Sequence, residues 1–149
     1  MNILIVGDSC KDIFIYGDIT RLTPEAPVPV FNPRREVQND GMAKNVANNV
    51  EALKTNIFTI TNPNSIKKIR YVDHKSNQMV LRVDEHDYCD RIDRVLLSGI
   101  HDNQCYIPMN GVVNVDAIII SDYCKGFLTE DDISHICTWN DNVFVDTKK

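Results

Sequence analysis

The chain opens on an apolar run that closes in an aspartate, Ile3-Leu4-Ile5-Val6-Gly7-Asp8. The pattern returns as Ala117-Ile118-Ile119-Ile120-Ser121-Asp122 and as Val143-Phe144-Val145-Asp146. Short, continuous, β-branched runs predict strands buried on both faces, as in a parallel sheet. In an open α/β sheet ligands sit outside the carboxyl ends of the strands, so three carboxylates are expected along one rim. Between the first two runs, Asp12 to Leu22 is rich in β-formers (Ile13, Phe14, Ile15, Tyr16, Ile19) and broken at Gly17-Asp18. Pro24, Pro27 and Pro29 then exclude a helix interior and a central strand, and predict a stiff arm or a sheet edge over Thr23 to Val30.

Helical spacing takes over at Gly41 to Lys54, where Ala43, Val46, Ala47, Val50 and Leu53 form one stripe and Asp40 stands where a cap would. Ile57 to Thr61 predicts a short strand. Lys68 to Val72 and Gln78 to Asp84 alternate about the turn Asp73-His74-Lys75-Ser76-Asn77, predicting a half-exposed hairpin. Asp90 to Ile100 reads as a helix with Ile92, Val95 and Leu96 on one face, and residues 101 to 115 as loop. Thr129 opens a last helix with Asp132 three residues on and Leu128 and Ile133 at the staple positions. Ile133, Ile136 and Cys137 are expected to face the sheet. Strand, helix and strand from Ala117 to Asp146 make a right-handed βαβ unit. There is no internal repeat or linker, so the 149 residues read as one domain.

Composition adds exclusions. At 43% hydrophobic and 25% charged the chain is an ordinary globular one, and its net charge of -5 argues against a nucleic-acid partner. No apolar run approaches the roughly 20 residues that cross a bilayer, and no basic leader precedes the first run. A cytoplasmic, membrane-free protein is expected. The five cysteines are widely spaced without a CxxC, which predicts free thiols and no zinc site. His135 and Cys137 lie two apart on a helix and point to different faces. Neither GxxxxGK, GxGxxG nor a serine elbow is present. His74, His86, His101 and His135 are expected to be solvated.

The candidate chemistry is therefore the strand-end set: Asp8 and Asp12, Asp122 and Lys125, and Asp146. Carboxylates there accept directed hydrogen bonds from sugar hydroxyls, or hold Mg²⁺. Any one of them alone is more simply a loop or helix cap. As a set on one rim they point to a ligand site. A phospho-acceptor signalling domain also uses strand-end aspartates and a lysine, but the first strand lacks the adjacent acids and the proline arm has no place there.

Several segments together resemble the N-terminal part of the PfkB/ribokinase family of sugar kinases, and most nearly the heptose 7-phosphate kinase module of bacterial ADP-heptose synthase. They are Ile5-Val6-Gly7-Asp8 with Asp12, and Tyr16-Gly17 with Thr20-Arg21-Leu22-Thr23-Pro24-Glu25-Ala26-Pro27-Val28-Pro29-Val30. Gly41-Met42-Ala43-Lys44-Asn45-Val46-Ala47 and Lys68-Ile69-Arg70-Tyr71 with Asn77-Gln78 and Leu81-Arg82-Val83-Asp84 join them. The last are Ser121-Asp122-Tyr123-Cys124-Lys125-Gly126 and Val145-Asp146-Thr147-Lys148. The resemblance implies a partial ribokinase-like α/β three-layer sandwich, a mostly parallel sheet flanked by helices. It implies a small β lid made of segments about 12–32 and 67–85, within a single truncated domain.

The resemblance also implies a site and partners. Asp12, Gly41 and Asn45 would contact sugar hydroxyls, and Gln78, Arg82, Asp122 and Lys125 would complete the substrate set. The ligand would be a phosphorylated, heptose-like sugar on the route to ADP-heptose, a lipopolysaccharide precursor. The lid would pair two copies, or a complementing C-terminal half chain would join.

Three departures matter. Met42 stands where the family has a second glycine, in the way of a close backbone approach. The segment between Thr61 and Lys68 is short. No glycine follows Gly126, so the family's GAGD motif, with its anion hole and base, is absent, and so are its ATP-binding strands. The chain is expected to hold no catalytic, cofactor or metal residues of its own, with ATP and Mg belonging to the family, and to be inactive alone or one half of a split kinase. The alternative is a non-enzymatic dimerisation or regulatory module that pairs through the lid.

Overall fold

A computed structural model describes residues 1–101, 103–107 and 110–148. Along the chain run β1 (Asn2–Gly7), β2 (Ser9–Leu22), β3 (Pro29–Met42), α1 (Ala43–Glu51), β4 (Asn56–Thr61), β5 (Ile66–Asp73) and β6 (Met79–Glu85). Then come α2 (Arg94–Ser98), β7 (Ile100–His101), β8 (Gln104–Ile107), β9 (Gly111–Asn114), β10 (Ala117–Asp122), α3 (Glu130–Ile136) and β11 (Val143–Thr147).

The central sheet is parallel, in the order β11-β10-β1-β4. Alternation along β1 divides the core. Ile3 and Ile5 pack with Ala43, Val46, Ala47 and Val50 of α1 on one face. Leu4 and Val6 join Ile118, Ile120, Leu128 and Ile136 on the other. Helix, sheet and helix make the α/β three-layer arrangement. Gly7 is needed where β1 meets β10, because a side chain there would run into the Ser121 carbonyl.

A second sheet, β3-β2-β5-β6, stands beyond the carboxyl end of β1. β2 follows β1 after a single residue and runs on through Gly17-Asp18, where the sequence predicts a break; the register only shifts there. Pro29 and Pro33 fall on β3, the edge strand, where a missing N–H costs no ladder bond. The rest of the proline arm is the β2–β3 turn, closed by Thr23 N donating to Val28 O at 2.8 Å. The β5–β6 hairpin forms as the alternation predicts.

Other expectations are corrected. Asp40 does not cap α1: it lies in β3, paired with Lys11, and Met42 holds the N-cap position. Leu53 lies past the end of α1 and is exposed, as is Val95. The helix predicted over Asp90 to Ile100 is only α2, because the Asp93 carboxylate caps it by accepting from Val95 N at 2.7 Å. Residues 101 to 115 are not a loop: β7, β8 and β9 form a small antiparallel sheet that buries Ile100, Cys105 and Ile107, with Asp102, Pro108 and Met109 outside the described residues. β11 is an edge strand with Phe144 and Val145 exposed, not a strand buried on both faces. Cys137 is exposed rather than turned to the sheet, and all five cysteines are free. Among the described residues no helix is long and apolar enough to cross a membrane.

Candidate functional site

Strand alternation builds the site. Cys10, Asp12 and Phe14 share one face of β2; β3 sets Gly41, Asn39 and Val37 beside them, and β5 sets Ile66, Lys68 and Arg70 on the other side. This face, the turn into α1 and Tyr123 from the loop after β10 enclose a cavity of about 510 Å³. Asp12, Asn39, Gly41, Met42, Asn45 and Asn48 line it together with Lys68 and Arg70. A side chain at position 41 would collide with the Asp12 carboxylate and the Cys10 thiol, so glycine is required there. Met42 sits at φ 57°, ψ −132°, a strained conformation for a side-chain-bearing residue. No side chain caps α1. Ala43 N donates to Asp8 O at 2.9 Å, and the rest of the first turn opens beside Asn45.

The charges in the cavity are nearly all matched. Arg70 Nη1 lies 2.5 Å from Asp12 Oδ1, with side chains 23% and 24% exposed, and its guanidinium lies 5.1 Å from the Phe14 ring centre. Lys11 lies 2.5 Å from Asp40 and holds that carboxyl below its usual range. Lys68, half-buried on the cavity wall, has no ion-pair partner among the described residues. Burial, and then the Asp12 charge, push the Cys10 thiol up to about 11, so it stays protonated and is no nucleophile. Among the described residues no three His, Cys, Asp or Glu side chains are grouped to hold a metal.

Of the residues the sequence nominates, Asp12, Gly41 and Asn45 meet on this cavity. Arg82 lies opposite Arg70 on β6 and donates to both Asp84 oxygens at 2.7 and 2.8 Å, which holds the Asp84 carboxyl low. Lys125 donates to Asp87 at 2.7 Å. These two pairs form a charged network beside the cavity rather than on its wall. Gln78 is exposed at the β5–β6 turn. Asp122 is buried, accepting from Cys124 N at 3.2 Å and from Thr147 Oγ1 at 2.8 Å.

Asp8, fully buried, accepts from the backbone N–H of Tyr123, Lys125 and Phe127 at 2.7, 3.2 and 3.3 Å. It thereby ties down the loop that brings Tyr123 to the cavity. Asp146 is exposed on the edge strand. Of the three strand-end aspartates, Asp8 and Asp122 thus hold backbone N–H groups and Asp146 faces outward.

Sequence comparison finds relatives of known name. The chain is 31% identical to the bifunctional protein HldE of Helicobacter pylori strain J99, over 85% of this chain and 32% of the relative. It is also 31% identical to bifunctional protein HldE of Caulobacter vibrioides, over 86% of this chain and 30% of the relative. Among solved structures, a candidate phosphofructokinase of Staphylococcus aureus superposes with a TM-score of 0.54 at 9% identity, covering 93% of this chain and 49% of the other. The chain resembles the PfkB/ribokinase family of sugar kinases. No family model matches it. It spans about a third of the length of the HldE relatives. The superposition shows the ribokinase-like fold, and the similarity to HldE runs over most of this chain and a third of the relative.

Within this ribokinase-like frame, Met42 packs into the main core cluster and also lines the cavity. Sequence reasoning gave no role to Lys68, Arg70 or Tyr123. Alternation puts Lys68 and Arg70 on one face of β5, but only the parallel β2–β5 register shows that this is the face of Asp12. Tyr123 arrives through the Asp8 hydrogen bonds, which no local pattern announces.

Proposed function

We propose that the chain binds a phosphorylated sugar in the 510 Å³ cavity as the sugar-holding half of a ribokinase-like kinase, with a heptose 7-phosphate as the ligand the resemblance implies. The observation that supports it is the pair of cations on the cavity wall: Lys68, in register between Asp12 and Asp84 but in no direct ion pair among the described residues, stands beside Arg70 where an anionic group can reach both. Asp12 accepts from sugar hydroxyls, and Asn45 donates and accepts at the open first turn of α1. Gly41 lets the sugar approach the backbone. Arg82, Lys125 and Asp122 form an outer set that engages the ligand only if their present partners release them, and Gln78 only if the exposed β5–β6 turn folds over the cavity. Phosphoryl transfer needs an anion hole and charge stabilisation about the γ-phosphate. The 149 residues contain no GAGD motif; in this reading that chemistry comes from residues outside them, with ATP and Mg²⁺.

Calorimetric titration of D-glycero-D-manno-heptose 7-phosphate into the chain tests this reading. Asp12→Asn and Asn45→Ala should each weaken binding about tenfold or more, the loss of one or two directed hydrogen bonds. Unchanged affinity in both variants would sink the assignment.

A second reading is favoured by the outer face of the lid sheet. Ile19, Val28, Phe31, Tyr71 and Leu81 line an apolar groove of about 270 Å³, and Leu22, Val28, Met79 and Leu81 are more than half exposed. That face would pair two copies of the chain through their lids.

A further inference from the structure

The Asp12–Arg70 pair sets a condition on what the cavity accepts. Asp12 is the carboxylate left to take sugar hydroxyls, since Asp40 is held by Lys11. Yet one Asp12 oxygen is already taken by Arg70 at 2.5 Å, and the other has only the Cys10 thiol at 4.0 Å. Both partners are three-quarters buried. A neutral sugar can reach the second oxygen as things stand, but one that took both oxygens would displace Arg70 and leave its guanidinium unpaired in a partly desolvated wall, which costs more than the added hydrogen bond returns. It would also leave Arg70 across the β5–β6 ladder from Arg82 and two residues from Lys68, with Asp84, already bonded through both oxygens to Arg82, as the acid facing them from β6. Like charges so placed repel.

A phosphate reverses the balance. It accepts a bidentate bond from the guanidinium and a charge from Lys68, so one ion pair is exchanged for a stronger one. The Phe14 ring under the guanidinium gives Arg70 a surface along which to turn without leaving the cavity.

We propose that Arg70 is a selectivity residue that occupies one oxygen of Asp12 until a phosphate draws it away, so that phosphate binding is what frees both Asp12 oxygens for the sugar. The inference rests on the phosphosugar reading above and adds a coupling between the two ends of the ligand. That coupling is reciprocal by thermodynamic necessity.

The test titrates heptose 7-phosphate and the free heptose into the wild-type chain, Arg70→Gln and Lys68→Gln. Arg70→Gln should weaken the phosphosugar about tenfold or more and strengthen the free heptose by a similar factor, because Asp12 is released; Lys68→Gln should weaken only the phosphosugar. In the wild-type chain, saturating inorganic phosphate should tighten free heptose about fivefold, an effect absent in Arg70→Gln. This second measurement needs no altered side chain to appear. If Arg70→Gln leaves free-heptose affinity unchanged or lower, and phosphate has no effect on it in the wild type, Arg70 is at most a phosphate contact and the inference is wrong. Failure of the wild-type chain to bind the phosphosugar contradicts the proposed function instead. Free-heptose gain in Arg70→Gln is scored independently of that outcome.

Discussion

Met42 shows how a single residue carries both a cost and its compensation. Its backbone, at φ 57° and ψ −132°, lies where glycine is at ease and other residues lose about 1–3 kcal/mol, while its side chain is 7% exposed and packed in the core. Alanine there keeps the strain and loses the packing; glycine loses the packing and sheds the strain. Met42→Gly should therefore be the more stable of the two variants by about 1 kcal/mol in urea denaturation, the reverse of the usual ranking. Equal stabilities would show that the backbone is unstrained. The sequence flags the position by its departure from the Gly-Gly pattern, but not where the side chain goes. The aspartates teach the same limit. Asp8 and Asp12 stand four apart, and nothing local distinguishes a buried clamp on loop backbone from a carboxylate at a cavity wall.

At the scale of elements, α3 was legible because its signals are local. Thr129 and Asp132 form the reciprocal capping box, and Leu128 and Ile136 are buried. What the sequence could not show is that Arg91, far upstream, donates to both Asp132 oxygens at 2.8 and 2.6 Å. That bond, helped by the Thr129 cap, holds the Asp132 carboxyl at about 2, against 3.8 for a free one. A folded-state value below the unfolded one stabilises the fold above about pH 4 and loses its effect as the pH falls through about 2.

Arg91→Ala should destabilise the fold at neutral pH and flatten the acid limb of stability. Thermal melts between pH 2 and 6 would show it. An unaltered acid limb would mean that the Thr129 cap alone sets the carboxyl. β7, β8 and β9 escaped notice because strands of two to four residues carry too few positions to show alternation. β11 has a buried strand's composition, yet position within a sheet is a property of the partners and not of the strand.

For the whole molecule, the fold class follows from alternating apolar runs and helical stripes, and the resemblance supplied the expectation that β2, β3, β5 and β6 act as a lid. The assembly of β2, β3, β5 and β6 into one sheet brings residues from three separate segments to the Asp12 cavity. The same sheet turns its other face outward with Leu81 54% exposed. If copies pair there, the chain should elute as a dimer in light-scattering chromatography and Leu81→Asp as a monomer, since a charge in an apolar contact is strongly disfavoured. Identical masses for the two would remove lid pairing.

We propose that these 149 residues hold a phosphosugar and, lacking GAGD, do not transfer phosphate to it. Phosphorus NMR of the 149-residue chain with heptose 7-phosphate, ATP and Mg²⁺ reads both halves at once. The predicted spectrum shows a shifted or broadened sugar-phosphate resonance that reverts in Asp12→Asn, with no bisphosphate and no ADP above the protein-free control. A sugar-phosphate line untouched by the protein, or ADP and bisphosphate accumulating with time, would contradict it.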